Sequence, residues 1–173
     1  MVTAVALTQA VRQSTGVPVG IKWPNDLLVH GRKICGILTE MATEMDRVAY
    51  VVVGSGLNVN HAPEDFSREI KDTATSLRIE SGSVWSRASL LQRMLEEYET
   101  WYQTWLEQGF APVLAKWKEL SVSLNCPVRL DTINNSWEGW AQDVDETGAL
   151  LLRLPDGAIQ RFIYGEVSLR LTD

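Results

Sequence analysis

The sequence predicts an α+β protein in two parts, a sheet with flanking helices followed by a small β-barrel. Three observations predict it. Apolar residues recur at helical spacing near the start and again between 86 and 120. Runs rich in β-branched residues, punctuated by Pro, Asn, Asp and Gly, fill 17–58. From Asn125 onward short alternating runs are each closed by a turn signal. With 173 residues and 45% hydrophobic content, the chain can bury a sizeable core without disulfide or metal staples.

Val2, Val5, Ala6, Ala10 and Val11 predict a first helix, stopped by Gly16 and Pro18. Val17 to Ile21 turn β-like, Pro24-Asn25-Asp26 supplies a bend, and Leu27-Leu28-Val29 runs through His30-Gly31 into residues 33–38 as a hairpin. Arg47 to Val53 reads as a strand buried on both faces, leading into Gly54-Ser55-Gly56-Leu57-Asn58. The polar stretch from His61 to Gly82 suits a surface excursion or lid. Ser86 caps a long helix ending at Gly109, and Val113 to Leu120 forms a shorter one. Helical periodicity ends near 121–125, which divides the chain into 1–122 and 123–173.

Sixteen Lys+Arg against 22 Asp+Glu give a net charge of -6, which argues against nucleic acid or an anionic membrane as a partner. Two cysteines far apart and outside any C-x-x-C pattern signal neither a disulfide scaffold nor zinc. No signal-peptide pattern opens the chain and no run approaches the ~18 apolar residues of a membrane helix, so a reducing cytoplasm is expected.

Two clusters carry candidate chemistry. Lys22-Trp23-Pro24-Asn25-Asp26, followed by Gly31-Arg32-Lys33 and Gly36-Ile37-Leu38, places an amide, a carboxylate and basic groups where a nucleotide phosphate could be held. Read locally, the same residues also suit a tight turn with solvated basic side chains. Gly54-x-Gly56 allows close backbone approach to a ligand, yet Val59 stands where a G-x-G-x-x-G fingerprint needs glycine. The aromatic group Trp101, Tyr102, Trp105 and Trp117 lies on helix-patterned sequence and is assigned to packing.

In this order, K-W-P-N-D at 22–26, G-R-K-x-x-G-I-L-x-E at 31–40, G-x-G-x-N at 54–58 and G-E-V-S-L-R at 165–170 resemble the biotin protein ligase family. The resemblance implies a mixed sheet with flanking helices, similar to class II aminoacyl-tRNA synthetase cores, and an SH3-like barrel. It implies two steps: biotin and ATP form biotinyl-5'-AMP, which a lysine of the biotin carboxyl carrier protein of acetyl-CoA carboxylase then attacks. Lys33 matches the lysine that contacts the biotin carboxylate and α-phosphate, where loss of such a group costs ~3 to 4 kcal/mol of barrier. Asn25 and Asp26 match positions near the phosphates and magnesium, Asp26 as the metal ligand, with Lys22 and Arg32 as further basic groups. Gly36, Ile37 and Leu38 would floor the biotin site, Gly54 and Gly56 would pass close to the ligand, and Asn58 would read adenine. Glu166 and Arg170 would approach the nucleotide from the second part.

The resemblance also implies an upstream biotin-recognition segment and a G-R-G-R-x-G loop. Neither occurs in these residues, so the chain reads as the carboxy-terminal half of a catalytic domain plus the barrel. An apolar sheet edge is then expected to be covered by a homodimer or by the missing half. A ligand- or carrier-binding remnant and a lipoate-type ligase are the alternatives.

Overall fold

Helix α1 (Val2–Thr15) buries Ala4, Val5, Ala6, Leu7, Thr8, Ala10 and Val11, because small and β-branched residues on most of its circumference let neighbours approach closely. It ends at Gly16, whose φ of 72° is accessible to glycine at little cost and lets its N–H donate to the Arg12 carbonyl. This computed structural model describes residues 1–45 and 47–169. Arg170 therefore lies outside the described residues.

Four strands follow: β1 (Gly20–Lys22), β2 (Asp26–Val29), β3 (Arg32–Glu44) and β4 (Arg47–Leu57), in the order β1-β2-β3-β4. Every ladder is antiparallel; parallel pairing among the described residues is confined to isolated bridges, Ile21 with Ser121 and Lys33 with Ala74. The mixed sheet expected from the resemblance is thus antiparallel over these strands. The β2–β3 turn is His30-Gly31, both at positive φ, the conformation that matches hairpin twist.

The expectation for Arg47 to Val53 is corrected. β4 is an edge strand exposed along nearly its whole length, with Val48, Tyr50 and Val52 more than half exposed. Its apolar composition marks a surface suited to burial, but among the described residues only β3 pairs with it.

A 3-10 turn (Pro63–Asp65) leads to α2 (Leu77–Ser81), then α3 (Arg87–Gln108), capped by Ser86, and α4 (Phe110–Leu120). α1 packs on α3, and an Arg93–Gln13 hydrogen bond ties them together. The segment expected to be a surface excursion is only partly so: Thr75, Ser76 and Leu77 are wholly buried.

The second sheet comprises β5 (Cys126–Asp131), β6 (Ser136–Val144), β7 (Leu150–Arg153), β8 (Ile159–Phe162) and β9 (Glu166–Leu169), in the order β8-β7-β6-β5-β9. Among the described residues β8 and β9 share no ladder, so the sheet is open rather than a closed barrel. Residues from both sheets join one apolar core, with Trp23 and Trp117 among its largest fully buried side chains. Among the described residues no helix is long and apolar enough to cross a membrane.

Candidate functional site

Lys22 ends β1 and Asp26 begins β2, directly paired across the three-residue turn Trp23-Pro24-Asn25. Cross-strand partners share a face, so the four-residue spacing brings the Lys22 ammonium 3.3 Å from Asp26 Oδ2. The same row continues across the sheet: Asp26 pairs with Gly36, and Gly36 with Gly56. One line through all four strands therefore carries two charges and then bare backbone, and the next pair on that face is Leu38 with Gly54.

Lys33 reaches this face through a bulge. Leu27 pairs with Cys35 but Leu28 pairs with Lys33, so Ile34 is the extra residue. Ile34 and Cys35 are both fully buried, while Lys33 turns outward and lays its chain over Gly36. A Cβ at Gly36 would stand 3.1 Å from Lys33 Cε and 3.2 Å from Nζ, so the glycine makes room for the lysine. Lys33 Nζ lies 2.6 Å from Asp26 Oδ1; its side chain is 49% exposed and that of Asp26 is 14%. The half-exposed ammonium is thus open to an incoming anion on its solvent side.

The remaining candidates divide. Asn25 is stitched to β3, its Nδ2 donating to the Ile37 carbonyl at 2.8 Å and its carbonyl accepting from the Ile37 N–H. Arg32 points away to Glu80 at 2.8 Å. Gly36 and Leu38 share the open face, but Ile37 alternates to the opposite side and is 7% exposed in the core. Gly54 and Gly56 border open space. Asn58 Nδ2 donates to the Thr75 carbonyl at 3.0 Å, so that donor is already engaged. Glu166, at the start of β9, lines a cleft of ≈290 Å³ with Lys22, Asn25, Asp26 and Lys33.

Beneath the cluster, burial and then the Asp26 charge push the Cys35 thiol up to about 12, which makes it a neutral packing group rather than a nucleophile. Among the described residues no three His, Cys, Asp or Glu side chains gather as a metal cage. A larger cavity, ≈680 Å³, lies on the other face of the β3–β4 pair, among Tyr98, Tyr102, Trp105, Phe110, Val51 and Val53. It holds no carboxylate, lysine or arginine, so the smaller charged cleft is the better place for chemistry.

Sequence reasoning missed the strap that holds Lys33. The Lys33 N–H donates to the Thr73 carbonyl at 2.7 Å, and the Thr75 N–H donates to the Lys33 carbonyl at 2.8 Å. It also missed Ser123 and Gly148, which accept the backbone N–H and the indole N–H of Trp23 at 3.0 and 3.1 Å. These partners lie 40 to 125 positions away in sequence, and no local pattern announces them.

Residues 1–58 match the description Biotin/lipoate A/B protein ligase family, and residues 123–170 match Biotin protein ligase C terminal domain. The bifunctional ligase/repressor BirA of Bacillus subtilis is 38% identical over 98% of this chain and 52% of its own length. A biotin–[acetyl-CoA-carboxylase] ligase of Paracoccus denitrificans is 32% identical over 90% of this chain and 66% of its own. The biotin protein ligase from Aquifex aeolicus, solved in complex with biotin and ATP, superposes with a TM-score of 0.83 at 29% identity, covering 99% of this chain and 70% of that one. The chain thus spans about half the length of the first curated relatives it matches.

Proposed function

Because the chain belongs to the biotin protein ligase family, we propose that it activates biotin with ATP to biotinyl-5'-AMP and passes the biotinyl group to a lysine of biotin carboxyl carrier protein. The observation that carries this reading is the row Lys22–Asp26–Gly36–Gly56 with Lys33 laid beside it. In this reading a flat ligand lies on the glycine backbone and projects its carboxylate and phosphate toward the two ammonium groups.

Lys33 would neutralise the charge that accumulates where the biotin carboxylate oxygen displaces pyrophosphate from the α-phosphorus, with Lys22 as a second fixed charge. Leu38 would contact the apolar part of biotin across Gly54, and Ile37 would support that floor from below. Glu166 would face the nucleotide from β9. Asn58 keeps its side-chain oxygen for adenine, and Arg32 acts through the fold rather than on the ligand.

Magnesium binds through one or two carboxylates when substrate phosphates and water complete its shell. The donor set fits that mode, and Asp26 is the residue that would hold it, supplying charge neutralisation at the phosphates. We assign residues 1–122 to part of the catalytic domain and 123–173 to the carboxy-terminal domain, with the reaction set in the cytoplasm.

Biotin-dependent exchange between pyrophosphate and ATP tests the reading. Lys33→Ala is expected to lower the exchange rate by about 100-fold or more while the melting temperature changes little, since the side chain is half exposed. An unchanged rate in the folded variant would remove Lys33 from the mechanism.

A further inference from the structure

A lysine side chain has four rotatable bonds, so the position of the Lys33 ammonium depends on how firmly its backbone is held. On one side that backbone pairs with Leu28; on the other it bonds to the strap Thr73–Thr75. The strap follows a largely polar stretch and has little apolar anchorage before Ala74.

Glu80, on α2, supplies the tie. Its Oε1 accepts from the Thr75 hydroxyl at 2.5 Å and from Arg32 Nη2 at 2.8 Å, and its Oε2 lies 3.1 Å from His30 Nδ1. His30 and Arg32 belong to the hairpin that leads into Lys33, and Thr75 belongs to the strap, so one carboxylate joins both segments that flank the lysine. The Glu80 side chain is only 5% exposed. A carboxylate so enclosed is costly to leave unpaired, which makes the three donors act as a unit.

We propose that Glu80 is a positioning residue for Lys33, clamping the 73–75 strap and the His30–Arg32 turn together so that the lysine backbone has one setting. The catalytic consequence rests on the ligase reading given above. It also explains the Arg32–Lys33 neighbours by division of labour: the arginine binds the clamp and the lysine faces the ligand.

The experiment compares Glu80→Ala and Glu80→Gln with the unmodified protein, using Lys33→Ala as the reference. In Glu80→Ala, hydrogen exchange at the Lys33 and Thr75 amides is expected to accelerate about 10-fold or more, while amides of β7 stay unchanged. For biotin-dependent pyrophosphate exchange, kcat is expected to fall by about 10- to 100-fold with KM for biotin altered by less than about 3-fold. Glu80→Gln should fall between, because its amide oxygen still accepts from Thr75 and Arg32.

Unchanged protection of Lys33 and Thr75 in Glu80→Ala overturns the clamp whatever the activity. Faster amide exchange with unaltered kcat, where Lys33→Ala is inactive, overturns the positioning role and leaves Glu80 a support of the fold. If the unmodified protein shows no biotin-dependent exchange while the amide result is as expected, the ligase reading fails and the clamp on Lys33 stands.

Discussion

Lys33 and Cys35 are two apart in β3, so regular alternation would put them on one face, yet one faces solvent and the other is sealed in the core. The extra residue Ile34 resolves the conflict, and burial of Cys35 follows from it. Native protein treated with iodoacetamide below about pH 9 should therefore lose one thiol, Cys126, and keep Cys35 until denaturant exposes it. Labelling of Cys35 at the same rate as Cys126 would contradict this packing. The sign of the pH effect follows as well. A thiol raised on folding favours the native state below its unfolded value of about 8.5, and that contribution is lost as pH rises through the folded value near 12. At this scale the pairing of Lys22 with Asp26 is legible, because four-residue spacing across a Pro-Asn turn is a local property. That Arg32 is diverted to Glu80 and that one Asn58 donor is engaged by Thr75 are not legible, since both partners come from distant chain.

Among elements, helices α1, α3 and α4 fall where periodicity and caps predict them, because both signals are local. Strand β6 carries a constraint of its own: Gly139 faces β7 so closely that a Cβ would stand 2.5 Å from the Arg153 carbonyl oxygen. A backbone atom cannot yield as a side-chain tip can, so Gly139→Ala should destabilise the protein by about 1–3 kcal/mol, read as a lower denaturant midpoint. A neutral substitution would mean that the β6–β7 register shifts freely at the irregularity between Ala141 and Asp143. β4 shows the opposite limit of sequence reading. Its run of Val and Tyr signals burial, and strand propensity states how well residues suit a covered sheet without saying what covers it.

The whole molecule is joined through the turn that bears the charged cluster. Trp23 donates to Ser123 and Gly148, Val122 donates to Ile21 at 2.9 Å, and Lys118 pairs with Asp143 at 2.7 Å. The stretch read as a boundary from its change of pattern is thus a bonded joint, and the apolar core runs through it. Ser123→Ala would leave the buried Trp23 N–H without a partner, at a cost of about 1–3 kcal/mol. We expect one cooperative unfolding transition by near-UV and far-UV circular dichroism, shifted downward in the variant. A separate early transition of the second sheet in the unmodified protein would show that the joint does not couple the two parts.

By itself the sequence determined helices α1, α3 and α4, the hairpins and the charged motif, all of which depend on neighbours within a few residues. Only the tertiary structure decided which face each group takes, that β4 lies at an edge, that the second sheet is open over the described strands, and that Glu80 and the 73–75 strap hold Lys33. The reason is physical: a bulge, a cross-strand row and the partners of an enclosed carboxylate arise from the register between segments far apart in the chain, and register is a property of the assembled sheet.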